Sequence, residues 1–129
     1  MPHLLILEPD HLLAGSLNSY FANANFTVTT HSDPQKAVIS ADQHTPDAII
    51  AELQLAGRSG AEFLYEFRSY PDWQTVPIII YTNLYQDQLD VYKEVLKDLD
   101  VGNCLSKRQT GLNQLLTAVQ QSMLTHAKI

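Results

Sequence analysis

At 129 residues, 45% of them apolar and 17% charged, the chain has the composition of one globular domain with a single core. Its formal net charge is −6 and its eight Lys and Arg residues are scattered, which argues against nucleic-acid binding by this chain. The longest apolar stretches, Leu4 to Leu7 and Pro77 to Tyr81, fall far short of the roughly 18 residues a membrane helix needs, and a single cysteine excludes an internal disulfide.

The opening MPHLLILEPD has no basic segment ahead of its apolar run and turns acidic directly after it, so no secretory leader is expected. A lone thiol fits a reducing compartment, and a cytoplasmic location is the expectation. Leu4 to Leu7 is a short continuous apolar run, the mark of a strand buried on both faces. From Asp10 the period changes, and Leu13, Leu17, Tyr20, Phe21 and Ala24 fall on one helical stripe. Phe26 to Thr30 is β-rich. Asp33 and Pro34 then predict a capped helix start, with Ala37, Val38 and Ala41 as its apolar face.

Asp47 to Ala51 reads as the third strand. Ser59 to Glu62 has the spacing of a capping box, with Phe63, Leu64 and Phe67 packing behind it, and Pro71 ends that helix. Trp73 is expected at the edge of the core. Val76 to Tyr81 is the fourth strand, followed by one helical stripe through Leu89, Tyr92, Val95, Leu96 and Leu99. Cys104 and Leu105 centre a short fifth strand, with Cys104 expected as a small core residue. Thr110 is then expected to cap a last helix through Leu112, Leu115, Leu116, Val119 and Met123. The five histidines (3, 11, 31, 44 and 126) lack the spacing of a metal-binding pair and read as surface residues.

Five βα units without a linker predict an α/β fold, a doubly wound, parallel, five-stranded sheet with right-handed crossovers. Such sheets bind ligands beyond the carboxyl ends of their strands. Those ends carry Glu8, Pro9 and Asp10, then Glu52, then Thr82 and Asn83, then Ser106 and Lys107. The fold would gather them at one edge.

That arrangement resembles the receiver domain of response regulators, the CheY-like family. LLILEPD is similar to the family's first strand with its acidic cluster, and PDAIIAELQLAGRSG to the strand, phosphoacceptor and loop that follow. VPIIIYTN is similar to the strand ending on the switch Thr or Ser, and CLSKRQ to the strand ending on the essential Lys. The resemblance implies a receiver-like domain over residues 3–125 with a tail over 126–129, and a flavodoxin-like strand order of 2-1-3-4-5. In the family an Asp accepts a phosphoryl group from a phosphohistidine, helped by a divalent cation, a Lys and a hydroxyl, so that position decides the rate.

Against that pattern Glu52 stands at the phosphoacceptor position in place of Asp. Its extra methylene carries the carboxylate about 1.5 Å further, a displacement that costs on the order of a hundredfold in rate. Pro9 replaces one of the paired acids, leaving Glu8 and Asp10 as the acidic cluster. Thr82 and Lys107 are retained. Asn83 stands where a small residue leaves room for phosphate, Cys104 at the aromatic switch position, and Ala56 and Arg108 where the family has prolines.

The resemblance therefore implies an atypical receiver, not an enzyme, in which Glu52 imitates part of the phosphorylated state by pairing with Lys107. The plainer reading of Glu52 is a solvated carboxylate, and of Asp10 a helix cap. No cofactor is expected; Mg²⁺ would be held weakly if at all, by Glu8, Asp10 and Glu52. The expected partner is a signalling protein or histidine kinase, or a second copy, met through the fourth helix, fifth strand and fifth helix, residues about 87 to 124. Tyr81 and Tyr85 lie near that face. The alternative is a working phosphoacceptor receiver using Mg²⁺ and a histidine-kinase donor. A flavodoxin-like cofactor carrier would need a phosphate-cradling loop where Glu8-Pro9-Asp10-His11 stands, and those acids repel phosphate.

Overall fold

The structure is a computed structural model that describes residues 1–127. Strands β1 (His3–Leu7), β2 (Thr27–His31), β3 (Ala48–Ala51), β6 (Ile78–Thr82) and β7 (Asn103–Ser106) form one parallel sheet in the order β2-β1-β3-β6-β7. Counted along the sheet's own strands this is the predicted order. The alternation of side chains explains why β1 is apolar throughout. Leu5 and Leu7 face one layer and Leu4 and Ile6 the other, all fully buried.

Helices α1 (His11–Asn23) and α6 (Leu112–Ala127) cover one face, placing Leu17, Phe21, Leu115 and Val119 against Ile6 and Ile50. Helices α2 (Pro34–Gln43), α3 (Gly60–Ser69) and α5 (Lys93–Asp98) cover the other with Ala37, Val38, Phe63, Phe67 and Leu96. Trp73 lies in a 3₁₀ turn, Pro71–Trp73, and stacks on Phe67 with ring centroids 4.7 Å apart, closing the core edge as expected. Of the tail expected over 126–129, residues 126 and 127 end α6, and 128 and 129 lie outside the described residues.

Several local expectations need correction. The single helix expected over Leu89 to Leu99 is two, α4 (Gln86–Asp90) and α5, because Val91 and Tyr92 donate three residues back, to the Gln88 and Leu89 carbonyls. Thr110 does not cap α6. The helix starts at Leu112, and the preceding Gly111 N–H donates to the Gln114 side chain. Ser59 caps α3 through the Ala61 N–H, two residues on, rather than by the full box with Glu62. A small antiparallel hairpin, β4 (Gln54–Leu55) with β5 (Arg58–Ser59), follows β3, and Gly57 turns it at φ +68°.

Two further corrections concern burial. Cys104 is exposed, since β7 is an edge strand. His3 is buried, not on the surface; its ring donates to or accepts from Thr29 Oγ1 at 2.8 Å and stacks on His44 with centroids 4.0 Å apart. Tyr81 is buried as well, its hydroxyl donating to the Thr110 carbonyl, and Tyr85 alone of the two tyrosines is exposed.

Candidate functional site

The parallel register brings the strand ends to one edge. Glu8 continues β1, its N–H donating to the His31 carbonyl at 2.9 Å; Glu52 continues β3, its N–H donating to the Leu7 carbonyl at 3.0 Å. Lys107 follows β7 and its N–H donates to the Thr82 carbonyl at 2.9 Å. Glu8 and Glu52 are each only 3% exposed, and Thr82 is fully buried. Glu52 is thus no solvated carboxylate.

Four donors converge on Glu52. Oε2 accepts from the Thr82 hydroxyl at 2.5 Å and from the Gln54 N–H at 3.0 Å. Oε1 accepts from the Lys107 ammonium at 2.9 Å and from the Asn83 N–H at 3.2 Å. A carboxylate offers about four lone-pair directions, so this one is full. The Glu52–Lys107 pair expected from sequence is therefore present.

Lys107 also lies 2.6 Å from Glu8 Oε1, bridging the two acids with its side chain only 8% exposed. Burial pushes its ammonium down, but hydrogen bonds to Glu8 and Glu52, with their negative charges, outweigh that and raise its pKa above the ordinary 10.5. Glu8 Oε2 meanwhile accepts from the Asp10 N–H at 3.0 Å.

Asp10 is an exposed cap. Its Oδ1 accepts from the Leu12 and Leu13 N–H groups at 3.0 and 3.4 Å, which fits the helix-start reading over the ligand reading. A divalent cation needs several free oxygens, and these residues do not fit one. Both Glu8 oxygens and both Glu52 oxygens are already engaged, Pro9 brings no side-chain oxygen, and the Lys107 ammonium lies between the two acids. Among the described residues no group of three or more His, Cys, Asp or Glu side chains is placed to hold a metal ion.

Gly60, at the start of α3, packs on the backbone just past the end of β3. A Cβ there would lie 2.5 Å from the Glu52 carbonyl oxygen and 2.7 Å from Leu53 Cα. Sequence reasoning missed this close approach and the two backbone donors, Gln54 and Asn83. Main-chain amides carry no residue signature, whereas Gly60 was visible only as part of the expected capping box.

Comparison with known proteins agrees with this layout. The family model of the response regulator receiver domain matches residues 4–120. The chain is 30% identical over 95 residues to the protein named "Probable transcriptional regulator ycf29" of Cyanophora paradoxa, covering 72% of this chain and 45% of that protein. It is 28% identical over 85 residues to regulatory protein VanRB of Enterococcus faecalis, covering 66% of this chain and 37% of the other. The chain thus spans less than half the length of these two curated relatives. Among solved structures, the chemotaxis protein CheY4 of Vibrio cholerae superposes with a TM-score of 0.84 at 20% identity, over 95% of this chain and 98% of that one. With most of its length inside the family pattern and its strand ends gathered as that pattern requires, the chain belongs to the response-regulator receiver domain family.

Proposed function

We propose that this receiver domain signals without being phosphorylated, with the Glu52 carboxylate serving as a permanent stand-in for the phosphoryl group, and that it acts by binding a signalling protein. One observation carries the reading: the Glu52 side chain already takes the Thr82 hydroxyl, the Lys107 ammonium and the Asn83 N–H. In the family, a hydroxyl and a Lys at these positions serve the transferred group. The filled lone pairs leave Glu52 a poor nucleophile, and the bridging Lys107 leaves no room for the cation that transfer needs.

The test is incubation of the purified protein with a small phosphodonor and Mg²⁺, followed by intact-mass measurement. The expected result is no adduct. A stoichiometric gain of about 80 Da, the mass of one phosphoryl group, would overturn the proposal in favour of a working phosphoacceptor fed by a histidine kinase.

A further inference from the structure

The residue after Lys107 is as engaged as Lys107 itself, on the other side of the same loop. The segment from Thr82 to Tyr85 connects β6 to α4 and is tied at each step. The Asn83 N–H donates inward to Glu52 at 3.2 Å, the Leu84 N–H to Thr82 Oγ1 at 3.1 Å, and the Tyr85 N–H to the Gln88 side chain at 2.8 Å. The Asn83 carbonyl points the opposite way and accepts from the Arg108 guanidinium. The same guanidinium lies over the Tyr85 ring, with Cζ 4.0 Å from its centroid. Tyr85 is 62% exposed, so the ring presents its other surface to solvent.

Lys107 and Arg108 therefore grip one loop from two sides. Lys107 holds the carboxylate to which the Asn83 N–H is bonded, and Arg108 holds the carbonyl of the same residue. A planar guanidinium does both parts of the outer task together, donating in its plane and stacking on a ring through its face.

We propose that Arg108 is a positioning residue that fastens the loop between β6 and α4, so that the Glu52-bonded Asn83 and the exposed Tyr85 ring are set as one unit. The buried carboxylate is thereby tied to a surface a partner can touch. This inference rests on the reading of Glu52 as the group that holds the loop from inside.

The experiment is amide hydrogen exchange on the whole chain, comparing wild type with Arg108→Ala, Arg108→Lys and Tyr85→Leu. Arg108→Ala is expected to speed exchange of residues 83 to 88 about thirtyfold, the low-end sum of one exposed cation–π contact and one charge-assisted hydrogen bond. Amides of β1 and β3 should be unchanged, because Arg108 itself is exposed. Arg108→Lys should recover part of the protection, and Tyr85→Leu should lose part. Loop exchange equal to wild type in Arg108→Ala would overturn the proposal. So would an acceleration spread evenly over β1 and β3, which would mean general destabilisation. The phosphodonor test reads Glu52 separately, so a mass adduct would sink the reading of Glu52, and unchanged loop exchange would sink only the role given to Arg108.

Discussion

Replacing Glu52 with Gln keeps the shape of the side chain and changes only what its end can accept. A carboxamide has one accepting oxygen and an amino group that can only donate. With its oxygen in the Oε1 place it keeps Lys107 and Asn83, and its amino group then faces the Gln54 N–H and the Thr82 hydroxyl. The hydroxyl can turn and accept; the Gln54 N–H cannot and loses its partner. The reverse placement is worse, since the amino group would face an ammonium.

The better placement therefore loses one bond outright and weakens two that a charge had strengthened. At roughly 1–3 kcal/mol for an orphaned donor and about 1 kcal/mol for each weakened bond, the loss comes to about 3 kcal/mol. It stays at the low end for a broken buried pair because Glu8 still holds Lys107 at 2.6 Å. For a domain of this size the melting temperature should fall by about 10 °C. Thermal unfolding followed by circular dichroism at neutral pH measures it, with a urea titration as a second reading. A Glu52→Gln protein within about 1 kcal/mol of wild type would refute the view that four converging bonds hold this site together.

Gly60→Ala should cost about 2 kcal/mol or more, because the new methyl would meet backbone that cannot rotate away; an unchanged urea midpoint would contradict the 2.5 Å contact with the Glu52 carbonyl. Arg68→Met should cost about 4 kcal/mol, since the buried guanidinium donates to the Trp73 and Val76 carbonyls at 2.8 Å each and to the Leu99 and Asp100 carbonyls, and of these Trp73 keeps a second donor, the Val76 N–H at 3.3 Å. A melting temperature within two degrees of wild type would count against this. Stability as a function of pH should carry the signature of Lys107. Its pKa is higher folded than unfolded, so its contribution is complete below 10.5 and fades as pH climbs through the raised folded value. The difference between wild type and Lys107→Met isolates this from other groups, and a difference that grew with rising alkalinity would have the wrong sign.

The sheet was legible because its signal is redundant. Leu4 to Leu7, Ala48 to Ala51 and Ile78 to Tyr81 are apolar on both faces, and these three runs with two mixed edge strands, alternating with helical stripes, admit few topologies. The Glu52–Lys107 contact was legible for a related reason, as both residues sit one step past strands whose ends the topology brings together. Cys104 misled because a small apolar side chain looks the same on an edge strand as in a core; only the position of β7 in the sheet decides its exposure. His3 misled in the opposite direction. Its burial depends on Thr29 and His44, distant in sequence, which give the ring a polar partner and a stacking surface. The split between α4 and α5 turns on two amides reaching three residues back instead of four, a choice to which hydrophobic periodicity is blind. Arg108 was visible only as a missing proline, and its grip on Asn83 and Tyr85 requires the loop geometry itself.

The triad of Glu8, Lys107 and Glu52 is joined to the chain by carbon–carbon bonds alone. An acyl phosphate decays by hydrolysis and so carries its own timer, whereas a side chain does not. A domain switched in this manner would keep no record of when a stimulus arrived. How strongly it speaks would then follow from how many copies are made and how quickly they are degraded.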